Sequence, residues 1–154
     1  LGVPINWGAL LGWSAVIYSA QSAQNLFQMI PSLFLFAGCI SWTLHYDTVY
    51  AFQDKKYDEK LGIKSTAVHL ANRRPKLWLL GFSSLFISNM AAFGYLTNQE
   101  NIYYISLMLS MAHLMKQIAF TDLNSPDSCA KCFKSNQTIG ILNAFGLLSS
   151  LLIK

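Results

Sequence analysis

Four of the seven acidic residues of this chain fall within one short stretch, Tyr46-Asp47-Thr48-Val49-Tyr50-Ala51-Phe52-Gln53-Asp54-Lys55-Lys56-Tyr57-Asp58-Glu59-Lys60-Leu61-Gly62-Ile63-Lys64-Ser65-Thr66-Ala67. No glycine or proline interrupts Ile40 to Leu61, so the spacing predicts a helix that stops at Gly62, a residue suited to a left-handed C-terminal position. Positions four and seven apart share a helix face, which puts Asp47, Asp54 and Asp58 in one stripe with Ala51 leaving room between them. Past Gly62, Lys64 and Ser65 are expected to fold back towards that stripe. Like charges one turn apart repel, and carboxylates beside a lipid boundary carry a desolvation cost. A divalent cation relieves both. Mg²⁺ prefers oxygen ligands and is commonly held by one or two carboxylates plus substrate phosphates, so the pattern suits a magnesium site for a lipid with a diphosphate head. A plainer reading pairs Lys55, Lys56 and Lys60 with the acids on a solvated helix end. Spacing alone leaves both open.

The remaining polar candidates are scattered. Tyr46, Tyr50 and Tyr57 flank the acids; an aromatic face can stabilise a cation, and tyrosines at a membrane edge also act as anchors. His113, Lys116 and Gln117 lie in an apolar run, where a polar side chain suggests a substrate contact, a hydrogen bond between helices or, for Lys116, snorkelling. Asn136 is expected either to cap the last helix or to meet substrate. Trp7, Trp13, Trp42 and Trp78 are read as anchors or packing residues. Cys39 is read as a small hydrophobe. Cys129 and Cys132 form a Cys-x-x-Cys in an expected 121–138 loop that holds no histidine to complete a zinc site.

What must carry these groups is a membrane bundle. The chain has 154 residues, 53% hydrophobic and 12% charged, about half the charged share of an ordinary soluble domain, with a mean hydropathy of +0.35. Five apolar runs, Trp7–Ala23, Ile30–Tyr50, Leu77–Leu96, Ile102–Phe120 and Ile139–Ile153, approach the length of about 20 residues that crosses a bilayer. The expected fold is all-α and integral to the membrane, a bundle of five transmembrane helices. If all five cross, Lys55, Lys56, Lys60, Lys64, Arg73, Arg74, Lys76, Lys116, Lys131 and Lys134 fall towards one face and Lys154 alone towards the other. Basic residues stay on the side of insertion, so the 51–76 segment is expected to face the bacterial cytoplasm or the mitochondrial matrix. A nucleic-acid partner is not expected, since the cations sit at a membrane surface interleaved with acids. The chain opens at Leu1 without a basic segment leading a short apolar core, and residues 1–154 are read as the C-terminal portion of a longer single-domain polypeptide. A transporter or channel subunit that binds a cation through the same acids is the competing class. Transporters place charge near the bilayer midplane among broken helices, whereas these acids cluster where one helix leaves the membrane.

The segment Tyr46-Asp47-Thr48-x-Tyr50-Ala51-x-x-Asp54-x-x-x-Asp58-x-x-x-Gly62-x-Lys64-Ser65-Thr66-Ala67 resembles the second aspartate-rich motif of the UbiA superfamily of membrane prenyltransferases, and most closely the branch serving ubiquinone biosynthesis. Asn6-Trp7-Gly8-Ala9-Leu10-x-Gly12-Trp13-Ser14-Ala15 is similar to the helix preceding that motif. His113-x-x-x-Gln117-Ile118 and Cys129-x-x-x-Phe133-x-Ser135-Asn136-x-Thr138-x-Gly140 are similar to its last two helices and their connection. The resemblance implies the later part, fifth helix to ninth, of a nine-helix fold in a mitochondrial inner or bacterial plasma membrane. It implies Mg²⁺ held by Asp54 and Asp58 with Asp47 matching a further acidic position, Lys64 near a polyprenyl diphosphate, and 4-hydroxybenzoate as aromatic acceptor. Tyr50, Ser65, His113, Gln117 and Asn136 are the remaining candidate substrate contacts. Membrane lipid around the isoprenoid tail and association with other quinone-pathway enzymes are further expectations. The superfamily's first motif, of the form Asn-Asp-x-x-Asp-x-x-x-Asp, does not occur in these residues, so the stretch alone is expected to be inactive.

Overall fold

In the computed structural model, residues 2–19 and 26–153 are described. Residues 20–23 of the first apolar run, residues 24 and 25 of the loop after it, and Lys154 lie outside the described residues. Helices α1 (Gly2–Ser19), α2 (Ile30–Leu61), α3 (Thr66–Leu70), α4 (Pro75–Leu96), α5 (Asn101–Phe120) and α6 (Pro126–Ile153) follow in order, with a 3₁₀ turn at Leu26–Met29 leading into α2. No strand occurs among the described residues.

The sequence signals for α2 are met. Pro31 sits in its first turn, where a missing N–H costs nothing. The helix then runs for 32 residues, through the acids, to Leu61. Gly62 takes φ 70°, and the amide of Ile63 donates to the carbonyl of Asp58 at 2.9 Å, a Schellman closure that satisfies the last carbonyls. Ser65 then caps the one-turn α3, its hydroxyl oxygen accepting from the amide of Val68 at 3.4 Å. This short helix lies back on the bundle and buries Ala67 and Leu70.

Helix α2 is the hub, packing against α1, α3, α4 and α6, while α5 packs on α6 and α4. The core has two centres. Near the acids, Val49, Phe52, Ala67, Leu79, Leu123, Cys129 and Cys132 close together; further along, Phe86, Met90, Leu107, Leu114 and Ile139 do so. Trp13 and Trp42 belong to this packing rather than to an outer belt. The Trp42 ring stacks on Phe86 with centroids 5.8 Å apart, and Trp13 donates its indole N–H to the carbonyl of Gln28 at 2.8 Å beside Phe93.

Many large apolar side chains face outward, Leu152 at 87% exposure and Ile141 at 69% among them. An outer shell of that kind matches lipid rather than water. Among the described residues, three stretches are long and apolar enough to cross a membrane: Phe27–Leu61, Pro75–Leu96 and Pro126–Ile153. The expected loop at 121–138 is corrected. Only 121–125 connect the helices, because Ser125 offers its hydroxyl to the amide of Ser128 at 3.3 Å and Pro126 opens α6. Cys129, Cys132 and Asn136 are therefore helical, and both cysteines are buried free thiols.

Candidate functional site

Because α2 continues unbroken past the last acid, Asp47, Asp54 and Asp58 do lie along one side of it, each half-buried. They do not converge. Seven and eleven residues of helix correspond to about 10 and 16 Å along the axis, and among the described residues no group of three or more histidine, cysteine, aspartate or glutamate side chains is gathered for a metal. The expectation of one three-carboxylate cluster is thus corrected to a close pair, Asp54 and Asp58, one turn apart, with Asp47 two turns earlier. A pair of hard oxygen donors is the number that Mg²⁺ commonly takes from a protein when phosphates supply the rest, so the residues present fit half of a magnesium–diphosphate site.

The lysines do not neutralise that pair. Among the described residues the ion pair formed is Lys55 to Glu59 at 3.7 Å, both partly exposed; a pair of this kind is worth little. No hydrogen bond or ion pair closes on the carboxylates of Asp47, Asp54 or Asp58 among the described residues. Lys64 is exposed and lines, with Ser65, Thr66, Val68 and His69, a cleft of about 370 Å³. It stands beyond the Gly62 turn without contacting an aspartate. Ser65 uses its oxygen on the α3 cap and keeps its O–H free to donate.

Above the acids on α2 lies an aromatic step. Tyr50, 43% exposed, packs its ring on Phe133 of α6 with centroids 5.0 Å apart. Tyr46 meets the same phenylalanine at 5.8 Å. Tyr57 is 69% exposed, as an interfacial anchor would be.

The structure brings His113, Gln117 and Asn136 together, on the seam between α5 and α6. The amide nitrogen Nε2 of Gln117 donates to Ser135 Oγ at 2.7 Å. His113 Nε2 lies 3.1 Å from the carbonyl of Ser135, which can only accept, so that nitrogen carries the proton. Asn136 accepts from the Trp42 indole N–H at 3.1 Å and donates to the carbonyl of Cys132 at 3.1 Å. Lying well inside α6, Asn136 does not cap it; that alternative is corrected to a tie between α2 and α6. For His113 and Gln117 the geometry is hydrogen bonding between helices.

Sequence reasoning missed His45. It is fully buried, with Nδ1 3.2 Å from the carbonyl of Leu79 and 3.0 Å from Ser83 Oγ. The Leu79 carbonyl assigns the proton to Nδ1. Among the described residues, both His45 Nε2 and Gln117 Oε1 are buried acceptors without a partner. The available signal was an ionisable side chain inside the apolar run Ile30–Tyr50, the criterion that had singled out His113.

A lipid-facing bundle of long apolar helices, with its acids at the end of one of them, defines an all-helical integral membrane protein. Comparison with known proteins makes the class specific: residues 1–144 match the UbiA prenyltransferase family, and the chain belongs to that family. It is 43% identical over 157 aligned residues to the mitochondrial 4-hydroxybenzoate polyprenyltransferase of Bos taurus, covering 100% of this chain and 39% of that protein. Against the Drosophila melanogaster protein of the same name the identity is 38% over 154 residues, covering 100% and 37%. Against the Homo sapiens one it is 40% over 152 residues, covering 96% and 38%. The chain thus spans less than half the length of these curated relatives. No solved structure gives a significant match.

Proposed function

We propose that this chain forms the later part of a Mg²⁺-dependent 4-hydroxybenzoate polyprenyltransferase of ubiquinone biosynthesis, with five membrane-crossing helices of a nine-helix fold. One observation carries the reading: a gapless acidic motif on α2, ended by the Gly62 turn, in a chain that aligns along its whole length with relatives bearing that name. Asp54 and Asp58 would hold the metal, with Asp47 presenting a further carboxylate along the same side. Bound there, Mg²⁺ supplies Lewis-acid assistance to departure of the diphosphate. Lys64 and the O–H of Ser65 stabilise the negative charge that gathers on the leaving group. Tyr50 faces the allylic cation. The bond between the prenyl carbon and the diphosphate oxygen breaks, a carbon–carbon bond forms ortho to the hydroxyl of 4-hydroxybenzoate, and the ring proton is lost. His113, Gln117 and Asn136 act by fixing α6, and with it Phe133, against Tyr46 and Tyr50. The complementary part of the metal site lies in the portion of the relatives outside the matched stretch, so residues 1–154 alone are inactive.

The test is to replace the matched stretch of the Drosophila relative by residues 1–154 and to follow radiolabelled 4-hydroxybenzoate into membrane lipid. The chimera should incorporate label, Asp54→Ala and Asp58→Ala should each abolish incorporation, and Asp127→Ala should not. Full activity with Asp54→Ala would refute the metal assignment. The site is proposed for the matrix side of the mitochondrial inner membrane, where basic loops remain on insertion.

A further inference from the structure

No acidic residue occurs between Glu59 and Glu100, a stretch that carries Lys60, Lys64, Arg73, Arg74 and Lys76. Arg73 and Arg74 lie on the turn from α3 into α4 and Lys76 in the first turn of α4, and all three are exposed. None of them is ion-paired among the described residues; Lys76 Nζ donates to the carbonyl of Ala119, the negative end of α5, at 3.2 Å. Arg74 takes a left-handed backbone, φ 52° and ψ 65°, before Pro75. Pro75 begins a membrane-spanning candidate, so these cations stand where that helix leaves the bilayer, next to Leu77 and Trp78, exposed by 55% and 47%. Next to this turn opens a cleft of about 450 Å³ lined by Ala71, Pro75 and Lys76 and by the end of α5, with Lys55 also in its lining, Asp122 as its one acid, and Arg73 and Arg74 outside it. The Asp122 carboxylate is already accepting from the amide of Asn124 at 2.9 Å. Phe120, 82% exposed, forms the apolar edge of the same cleft.

We propose that this cleft and the Arg73–Lys76 turn bind the phosphodiester head of an anionic membrane phospholipid, with its acyl chains lying along Trp78 and Phe120. Unpaired cations supply the charge for one phosphodiester, and basic pockets between membrane helices suit such heads. The apolar edge selects a lipid over free phosphate. The surface is separate from the Asp54–Asp58 pair, and its test contains neither a prenyl diphosphate nor an aromatic acid, so it stands or falls independently of the proposed activity.

The chain is reconstituted in phosphatidylcholine nanodiscs, where both leaflets are identical and insertion direction is irrelevant. Brominated phosphatidylglycerol or brominated phosphatidylcholine is then titrated in, and quenching of the emission that Trp78→Phe removes is recorded. The phosphatidylglycerol midpoint should lie at a several-fold lower lipid fraction. Each cation neutralised in Arg73→Gln, Arg74→Gln or Lys76→Gln should shift it upward by about fivefold, and molar salt should erase the preference. Equal midpoints for the two lipids, or a preference that survives in the triple variant, would overturn the proposal. Should the triple variant lose helicity, Arg73→Gln, in an exposed turn, carries the same comparison alone.

Discussion

Asp54, Asp58 and the Gly62 turn are placed by spacing along a single helix, α2, which ends where that glycine takes its left-handed conformation. The distance from Asp47 to the other two was equally local, and it separates their roles. In the active chimera, Asp58→Asn should raise the Mg²⁺ concentration for half-maximal activity more than about tenfold, a loss of roughly 1.4 kcal/mol. Asp47→Asn should move it by less than about twofold, because at ~16 Å along the axis it cannot share an ion with Asp58. His45 escaped notice because its partners, Leu79 and Ser83 on α4, are distant in sequence. Its Nε2 leaves a buried acceptor unmet, and an unmet buried group costs about 1–3 kcal/mol. His45→Leu should therefore stay within about 1 kcal/mol of the parent in thermal unfolding in detergent, since it removes that unmet group along with the bond to Leu79. His45→Ala should lose about 2–4 kcal/mol through the cavity it opens.

Helices were legible as periods of apolar residues, and their junctions only in part. The start of α6 was hidden because Lys131, Lys134, Ser135 and Asn136 read as a polar loop; in the structure Ser135 and Asn136 turn inward to Gln117 and Trp42 while the lysines are exposed. Helix α5 falls outside the three clear spanning candidates for a related reason. Ser106, Ser110, His113 and Gln117 dilute its apolarity, yet the two serines and Gln117 are buried against neighbouring helices. Closeness at this seam depends on Gly146, where a methyl group would overlap Ser106 Oγ. Gly146→Ala should cost about 1–3 kcal/mol of unfolding free energy, and adding Ser106→Gly should restore most of it, as a thermal-melt double-mutant cycle would show. The same logic ties the N-terminus of α5 to α6, since the amide of Glu100 donates to Ser150 Oγ at 2.7 Å.

For the molecule as a whole, charge asymmetry is the sequence feature with the longest reach. Glu100 is the one acid between Glu59 and Asp122, and ten of the eleven cations lie in 55–76 or 116–134. A cysteine at Lys56, exposed beyond the last buried turn of α2, should react with an impermeant maleimide only from the matrix side. One at Asn98, in the exposed α4–α5 turn, should react only from the opposite side. Labelling of both from one side would remove an odd number of crossings between them. The three native thiols contribute little background, as Cys129 and Cys132 are buried and Cys39 is half-buried. How the helices close against one another was beyond sequence reasoning, because α2 meets α4 and α6 through side chains such as Trp42, whose partners lie 44 and 94 positions away.

A helix of 32 residues with no break before Gly62 is a stiff rod about 48 Å long. Tipping such a rod by 5° about its Pro31 end swings its far tip by roughly 4 Å, about twice the distance from Mg²⁺ to a ligating oxygen. Tilting is one way in which a spanning helix accommodates a change in bilayer thickness. The composition of the surrounding membrane therefore acts on where Asp54 and Asp58 stand through simple leverage, without any ligand touching them.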